Sequence, residues 1–115
     1  MQQLLEIRSY NLKPGSRTEF LRLMTEAAVP MLHRWAVDVV AYGPSLHDDS
    51  SCYLMRAYAT LAEYEQGQDA FYGSDEWRQG PREAILALIE SYTSIVLTLD
   101  AAAVDALRGT GYPGA

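Results

Sequence analysis

Residues 5–20 read LEIRSYNLKPGSRTEF, and this stretch contains the signals of a strand, a turn and the start of a helix. Hydrophobic and polar residues alternate over positions 5–10, a period of two that is typical of a half-buried strand. Pro14-Gly15 predicts a turn. Ser16-Arg17-Thr18-Glu19 then matches a capping box, in which a serine hydroxyl and a glutamate satisfy free backbone donors at a helix start. The stretch therefore predicts a strand followed by a helix.

The predicted first helix carries an apolar stripe that recurs at intervals of three and four residues. Its members are Phe20, Met24, Ala27, Met31 and Trp35. Pro30 lies inside this helix, where it removes one hydrogen bond and crowds the carbonyl group of Glu26. We therefore expect a kink or a break at Pro30.

The rest of the chain predicts three further strands and a broken second helix. Strand-like runs cover residues 37–42, 52–59 and 92–99. A helix capped by Thr60 is expected to run to about residue 72, before a short turn capped by Ser74 and a helix that opens at Pro81. The order β-α-β-β-α-β predicts an α+β, ferredoxin-like fold, in which helices cover one face of a four-stranded antiparallel sheet. One domain is expected at residues 1–100, with a short helix and a flexible tail at 101–115.

The composition excludes several functional classes. The 115 residues carry a formal net charge of −6, and the nine basic residues form no run. Nucleic acids and anionic membranes are therefore unfavourable partners. The sequence shows no signal peptide and no membrane-spanning segment. Cys52 is the only cysteine, which is compatible with a reducing compartment. We expect a cytoplasmic protein.

The sheet face without helices is expected to be apolar and aromatic. The residues assigned to it are Tyr10, Val40, Tyr42, Leu54, Tyr58, Tyr92 and Val96. An exposed patch of this kind usually marks an interface. We therefore expect a homodimer in which two such sheets pack together around a barrel-like space.

Two motifs resemble the NIPSNAP family. The opening LEIRSYNLKPG at 5–15 is similar to the start of these domains, and FYGSDEW at 71–77 is similar to the end of their second helix. The resemblance implies a dimeric α+β barrel. The wider superfamily includes cofactor-independent monooxygenases, haem-degrading enzymes and cyclases of polyketide-type substrates. The chain departs from the family in two places: Glu63-Tyr64-Glu65 lacks the arginine often found early in the second helix, and no proline follows Asp75.

The candidate ligand-binding residues are expected on the same helix-free sheet face. They are Arg8, Tyr10, Tyr42, Arg56, Tyr58, Tyr92 and Ser94. Arg8 and Arg56 come from strands that are neighbours in this fold, so both could point into one cavity and attract a carboxylate, a phenolate or an enolate. Tyrosines would supply flat walls, which suits a small aromatic or polyketide-like anion. In the alternative interpretation, Glu6 pairs with Arg8 or Arg56 and the tyrosines only fill an interface.

Other chemistry has weaker support in the sequence. His33 is a weak candidate for a general base, because a histidine in the last turn of a helix more often caps carbonyl groups or lies in solvent. No histidine or cysteine spacing suits a metal, and no motif calls for a cofactor. The leading hypothesis is a cofactor-independent oxygenase, cyclase or isomerase. The alternatives are a non-catalytic ligand-binding or protein-interaction module and a haem-handling protein.

Overall fold

The computed structural model describes residues 1–109. Its four strands are β1 (Gln2–Leu12), β2 (Asp38–Pro44), β3 (Ser51–Tyr58) and β4 (Ile89–Asp100). Its six helices are α1 (Arg17–Leu23), α2 (Val29–Arg34), α3 (Leu61–Tyr72), α4 (Asp75–Gln79), α5 (Arg82–Leu86) and α6 (Ala101–Ala106). A π-helical segment, Met24–Ala28, joins α1 to α2. Within this range, no helix is long and apolar enough to span a membrane.

The four strands form one antiparallel sheet in the order β2-β3-β1-β4. This arrangement confirms the predicted ferredoxin-like α+β fold. In the central register, Glu6 lies opposite Arg56 on β3 and Val96 on β4. Side chains directly opposite each other project from the same face of a sheet. The register therefore brings Glu6 and Arg56 together, although they are 50 residues apart in the sequence.

The first helix is irregular just before Pro30, as expected, but it does not end there. It continues through the π-helical segment, and Pro30 occupies the first turn of α2, where a missing N–H group costs little. The wider π turn adds a residue to the helix, so Ala28 is buried in the core instead of the predicted Ala27. At the far end, the indole N–H of Trp35 donates to Glu76 on α4 over 2.8 Å.

The predicted helix caps at Thr60 and Ser74 are present, whereas Asp100, a further candidate at the start of α6, makes no side-chain cap. The side chains of Thr60 and Ser74 each accept a hydrogen bond from the backbone N–H three residues later. The prediction of a capping box at Ser16 was wrong. Ser16 has a helical backbone and makes no side-chain cap, and the carboxylate of Glu19 binds Arg22. A capping side chain normally needs an extended backbone, which Thr60 and Ser74 have.

The prediction of which sheet face meets the helices was wrong. Tyr10 and Leu54 belong to the main core with Phe20 of α1, and Arg8 hydrogen-bonds to side chains of α3. Most of the residues assigned to the open face therefore point towards the helices. Alternation separates the two faces of a strand but does not say which one is covered. Here the polar side of β1 is buried because its charges pair with one another.

The opposite face is covered in part by α6. Val104 of α6 is fully buried against Leu5, Val40 and Ala57. Val40 therefore lies on the face predicted for it, away from α1–α5. The register between β2 and β3 is irregular at this residue, between Val39 and Ala41. The predicted flexible tail from residue 110 onward lies outside the described residues.

Beyond α6, part of this face stays accessible. Ile7, Tyr53 and Met55 are half-buried, and Ile95 is 65% exposed. These four side chains project from neighbouring positions of β1, β3 and β4, since Ile7 lies opposite both Met55 and Ile95. We call them the open-face patch.

Candidate ligand-binding site

A cleft of about 600 Å³ lies between the β1–β4 side of the sheet and the short helices α3–α5. Its walls are mainly aromatic and aliphatic, with a few polar groups. The aromatic and aliphatic lining consists of Tyr10, Tyr72, Trp77, Ile85, Leu86, Ile89 and Tyr92. The polar lining includes Arg8, Gln68, Asp69 and Arg82. Ligand cavities in proteins commonly have this size and this mostly apolar character.

Glu6 lies at the centre of a charged cluster beneath the cleft. It is fully buried, with 0% exposure. Its Oε1 accepts a hydrogen bond from Nε of Arg56 at 2.8 Å, and its Oε2 accepts one from Nη2 of Arg8 at 3.0 Å. Ser94 also donates to Oε2 at 2.9 Å. Glu6 therefore pairs with both arginines, where the sequence left open which of the two it would choose.

Arg8 connects this cluster to the cleft. Its Nε donates to Ser94 at 3.0 Å, and its Nη2 donates to Oε1 of Gln68 at 3.1 Å. Its guanidinium lies 4.8 Å from the ring centroid of Tyr92 and 5.5 Å from that of Tyr72, within range of cation–π attraction. Burial lowers the pKa of Arg8, but nearby Tyr72 and Tyr10 and then Glu6 outweigh that effect, so its pKa is raised. Arg8 stays charged.

Arg56 lies deeper, with 0% exposure. Its Nη2 is 2.7 Å from Oε1 of Glu6, but the two groups are not aligned for a hydrogen bond. Two guanidinium groups and one carboxylate give the cluster a net charge of +1. At the cleft lining, Asp69 is exposed to solvent and Arg82 pairs with Glu83 at 2.9 Å, so neither offsets this buried surplus. A buried surplus of positive charge is costly unless an anion balances it.

Tyr72 links the two arginines. Its hydroxyl oxygen accepts a hydrogen bond from Nη1 of Arg56 at 2.8 Å and another from Nη1 of Arg8 at 3.2 Å. Sequence reasoning missed this residue. Tyr64, Gln68 and Tyr72 recur every four residues along α3 and all bond to the cluster. That polar stripe on a helix face was the signal that could have revealed it.

A family model named NIPSNAP matches residues 5–103. The chain belongs to the NIPSNAP family. The search among curated proteins found no match. The predicted family resemblance is thereby confirmed over most of the chain.

Solved structures show the same fold. An uncharacterized NIPSNAP domain protein from Burkholderia xenovorans is 19% identical over 85% of this chain and 95% of its own, with a TM-score of 0.73. A NIPSNAP family protein from Agrobacterium tumefaciens is 19% identical over 86% and 87%, with a TM-score of 0.77. A putative antibiotic biosynthesis monooxygenase from Bordetella bronchiseptica is 16% identical over 87% and 97%, with a TM-score of 0.64. At these low sequence identities, the similarity shows a shared fold and no more.

In this NIPSNAP-family chain, most of the predicted binding residues do come together. Arg8, Tyr10 and Tyr92 line the cleft. Arg56 and Ser94 support Arg8 from below through Glu6. They lie on the helix-covered face within one subunit, and the predicted location on the helix-free face was wrong.

Three predicted residues lie apart from the cleft lining. The hydroxyl of Tyr58 accepts a hydrogen bond from Nε2 of Gln68 at 3.1 Å, behind the cluster. Tyr42 is buried and bonds to Thr25 of the π-helical segment at 2.9 Å. His33 is exposed in the last turn of α2. Neither Tyr42 nor His33 lines the cleft.

Burial controls the protonation of the remaining groups near the site. It raises the pKa of Tyr10, against the smaller opposing effect of Arg8, so this hydroxyl stays protonated. It also raises the pKa of the Cys52 thiol to about 11, which makes Cys52 a poor nucleophile at neutral pH. Among residues 1–109, no group of three histidine, cysteine, aspartate or glutamate side chains is arranged to hold a metal ion.

Proposed function

We propose that this NIPSNAP-family protein binds a small organic anion in the cleft between its sheet and its helices. The observation that carries the proposal is the net positive charge of Glu6, Arg8 and Arg56 beneath a mainly apolar cleft. An anion bound to Arg8 would balance that charge, so that solvent would not have to compensate it. Arginine suits this role because it stays charged, and Nη1 of Arg8 has a second N–H donor besides the one that binds Tyr72.

The walls of the cleft support a flat, apolar body for this anion. Tyr92 and Trp77 lie among its lining residues, with Ile85 and Ile89 as aliphatic neighbours. Aromatic rings favour stacked or edge-on contacts with other rings. A small aromatic or polyketide-like acid or enolate therefore fits both the charge and the walls.

Cofactor-independent turnover of that anion, by an oxygenase, cyclase or isomerase, is the second candidate function. Tyr72 favours it, because its oxygen accepts hydrogen bonds from two guanidinium groups and its own O–H remains to be donated. Reactions of these classes build negative charge on a substrate oxygen, and fixed positive groups and donors stabilise such charge. Product formation, measured separately from binding, distinguishes this enzyme from a binding module.

Calorimetric titration with phenylacetate tests the binding proposal. We expect Arg8→Gln to weaken binding about tenfold or more, since a hydrogen bond to a charged group contributes about 1.5–3 kcal/mol. Arg22→Gln, a change at an exposed arginine of α1, is the matched control and should leave affinity unchanged. If folded Arg8→Gln protein binds phenylacetate as well as the native protein, or if the native protein does not bind it, the proposal fails.

We also propose that two copies of the chain pair through the open-face patch. Its exposed member, Ile95, lies beside half-buried Ile7 and Met55, and this apolar surface carries no charge of its own. Burial of such a surface against a second copy is favourable. The patch differs from the one predicted from the sequence, because Tyr10, Tyr58 and Tyr92 lie on the other face.

A further inference from the structure

A second, polar chamber adjoins the cleft. It has a volume of about 580 Å³, and Asp75, Arg78, Gln79 and Glu83 line it. Tyr72, Gly73 and Arg82 line both this chamber and the cleft, so the two spaces meet at these residues. We infer that the site takes an elongated acid whose apolar body fills the cleft and whose uncharged, amide-bearing arm lies in the polar chamber. This inference rests on the proposed function, because it names the ligand class of the same site.

Gly73 lies where the two spaces adjoin, because it lines both of them. This residue ends α3, and a Cβ atom placed on it would lie 2.8 Å from the carbonyl oxygen of Asp69, too close for an unstrained contact. Any larger residue would therefore have to displace the backbone that forms this shared border. Glycine preserves the border in its present shape because it has no side chain.

The character of the polar chamber indicates what its occupant would be. Arg78 and Arg82 supply N–H donors, while Asp75 and Glu83 supply carboxylate acceptors, so the charges cancel. Arg82 already pairs with Glu83 at 2.9 Å. A second anion would gain little in a chamber of zero net charge. An amide carries one donor and one acceptor and can use both kinds of group.

The two spaces also define the direction of the ligand. Arg8 belongs to the cleft and does not line the polar chamber. A carboxylate on Arg8 would therefore place the opposite end of the ligand towards Gly73. An arm attached at the far side of an aromatic ring would extend towards the residues that the two spaces share, whereas an arm next to the carboxylate would not.

Titration of the native protein with two probes tests this inference. The short probe is phenylacetate, and the long probe is 4-(N-acetylglycylamino)phenylacetate, which differs only by an amide arm opposite the carboxylate. We expect the long probe to bind about five to ten times more tightly, the gain of one or two net hydrogen bonds. An Arg78→Ala/Gln79→Ala double variant should remove that gain and leave the affinity for phenylacetate unchanged. Arg34→Ala, on α2, serves as the control.

Each outcome bears on a different conclusion. If neither probe binds, the proposed function fails. If phenylacetate binds and the long probe binds equally or more weakly, the proposed function stands and the second chamber is not a subsite. If the long probe keeps its advantage in the double variant, the arm lies elsewhere and the inference is overturned. Because the first comparison needs only the native protein, it does not depend on whether a variant folds.

Discussion

Replacing Glu6 by glutamine should be among the most destabilising conservative changes in this protein. The substitution preserves the shape of the side chain but leaves two buried guanidinium groups with no carboxylate between them, so the cluster charge rises from +1 to +2. The new amide N–H₂ group would also face N–H donors, because Arg56 donates to one carboxylate oxygen and Arg8 to the other. Removing one partner of a buried ion pair costs about 3–5 kcal/mol.

That cost is a large part of the stability of an ordinary domain, about 5–15 kcal/mol. For a domain of this size, about 4 kcal/mol should lower the melting temperature by roughly 15–30 °C. Urea denaturation followed by circular dichroism measures the change directly. The double variant Glu6→Gln/Arg56→Gln should be more stable than Glu6→Gln alone, because it restores a cluster charge of +1.

The matched control is Glu76→Gln at the surface. Glu76 also binds an arginine, Arg34 at 2.6 Å, but both side chains are well exposed, and the amide oxygen of a glutamine can still accept the N–H of Trp35. Exposed ion pairs contribute at most about 1 kcal/mol. If Glu6→Gln also lowers the free energy of unfolding by less than about 1 kcal/mol, the buried cluster does not have the energetic role assigned to it here.

Two other changes test separate parts of the structure. Ala36 follows α2 with a φ of 58°, in a Schellman motif where glycine is preferred. Ala36→Gly should therefore raise the free energy of unfolding by up to about 1 kcal/mol in the same urea assay. A loss of stability would contradict this account. Ile95→Glu should convert the proposed dimer to a monomer in size-exclusion chromatography with light scattering, while Leu46→Glu, at a loop residue that is 98% exposed, should not. A native protein that is already monomeric would refute the pairing.

The sequence predicted the fold well because local signals and their order were sufficient for it. Period-two alternation marks β1 and β4, and the caps at Thr60 and Ser74 mark α3 and α4. The cap at Ser16 could not be judged from residue types, since it depends on a backbone conformation that the preceding turn determines.

The candidate site was predicted in part. Arg8 and Arg56 were placed together correctly because they lie on neighbouring strands. The predicted sheet face of these two arginines was wrong. A charged residue on a half-buried strand usually marks the solvent side, but here Glu6 neutralises one of the two arginines inside the protein. Tyr72 was missed because its role comes from contact with two residues of other strands, which no local pattern contains.

The π-helical segment between α1 and α2 absorbs one extra residue, so the buried faces of the two helices stay aligned across it. Deletion of a single residue within Met24–Ala28 would therefore only return the segment to a regular α-helix. The same deletion within Val29–Arg34 has no extra residue to remove and would turn Trp35 by about 100° relative to Phe20, away from Glu76 on α4. Since α4 and α5 form one side of the cleft, a change in the length of α2 would alter the wall of the ligand site, whereas the same change in the π-helical segment would not.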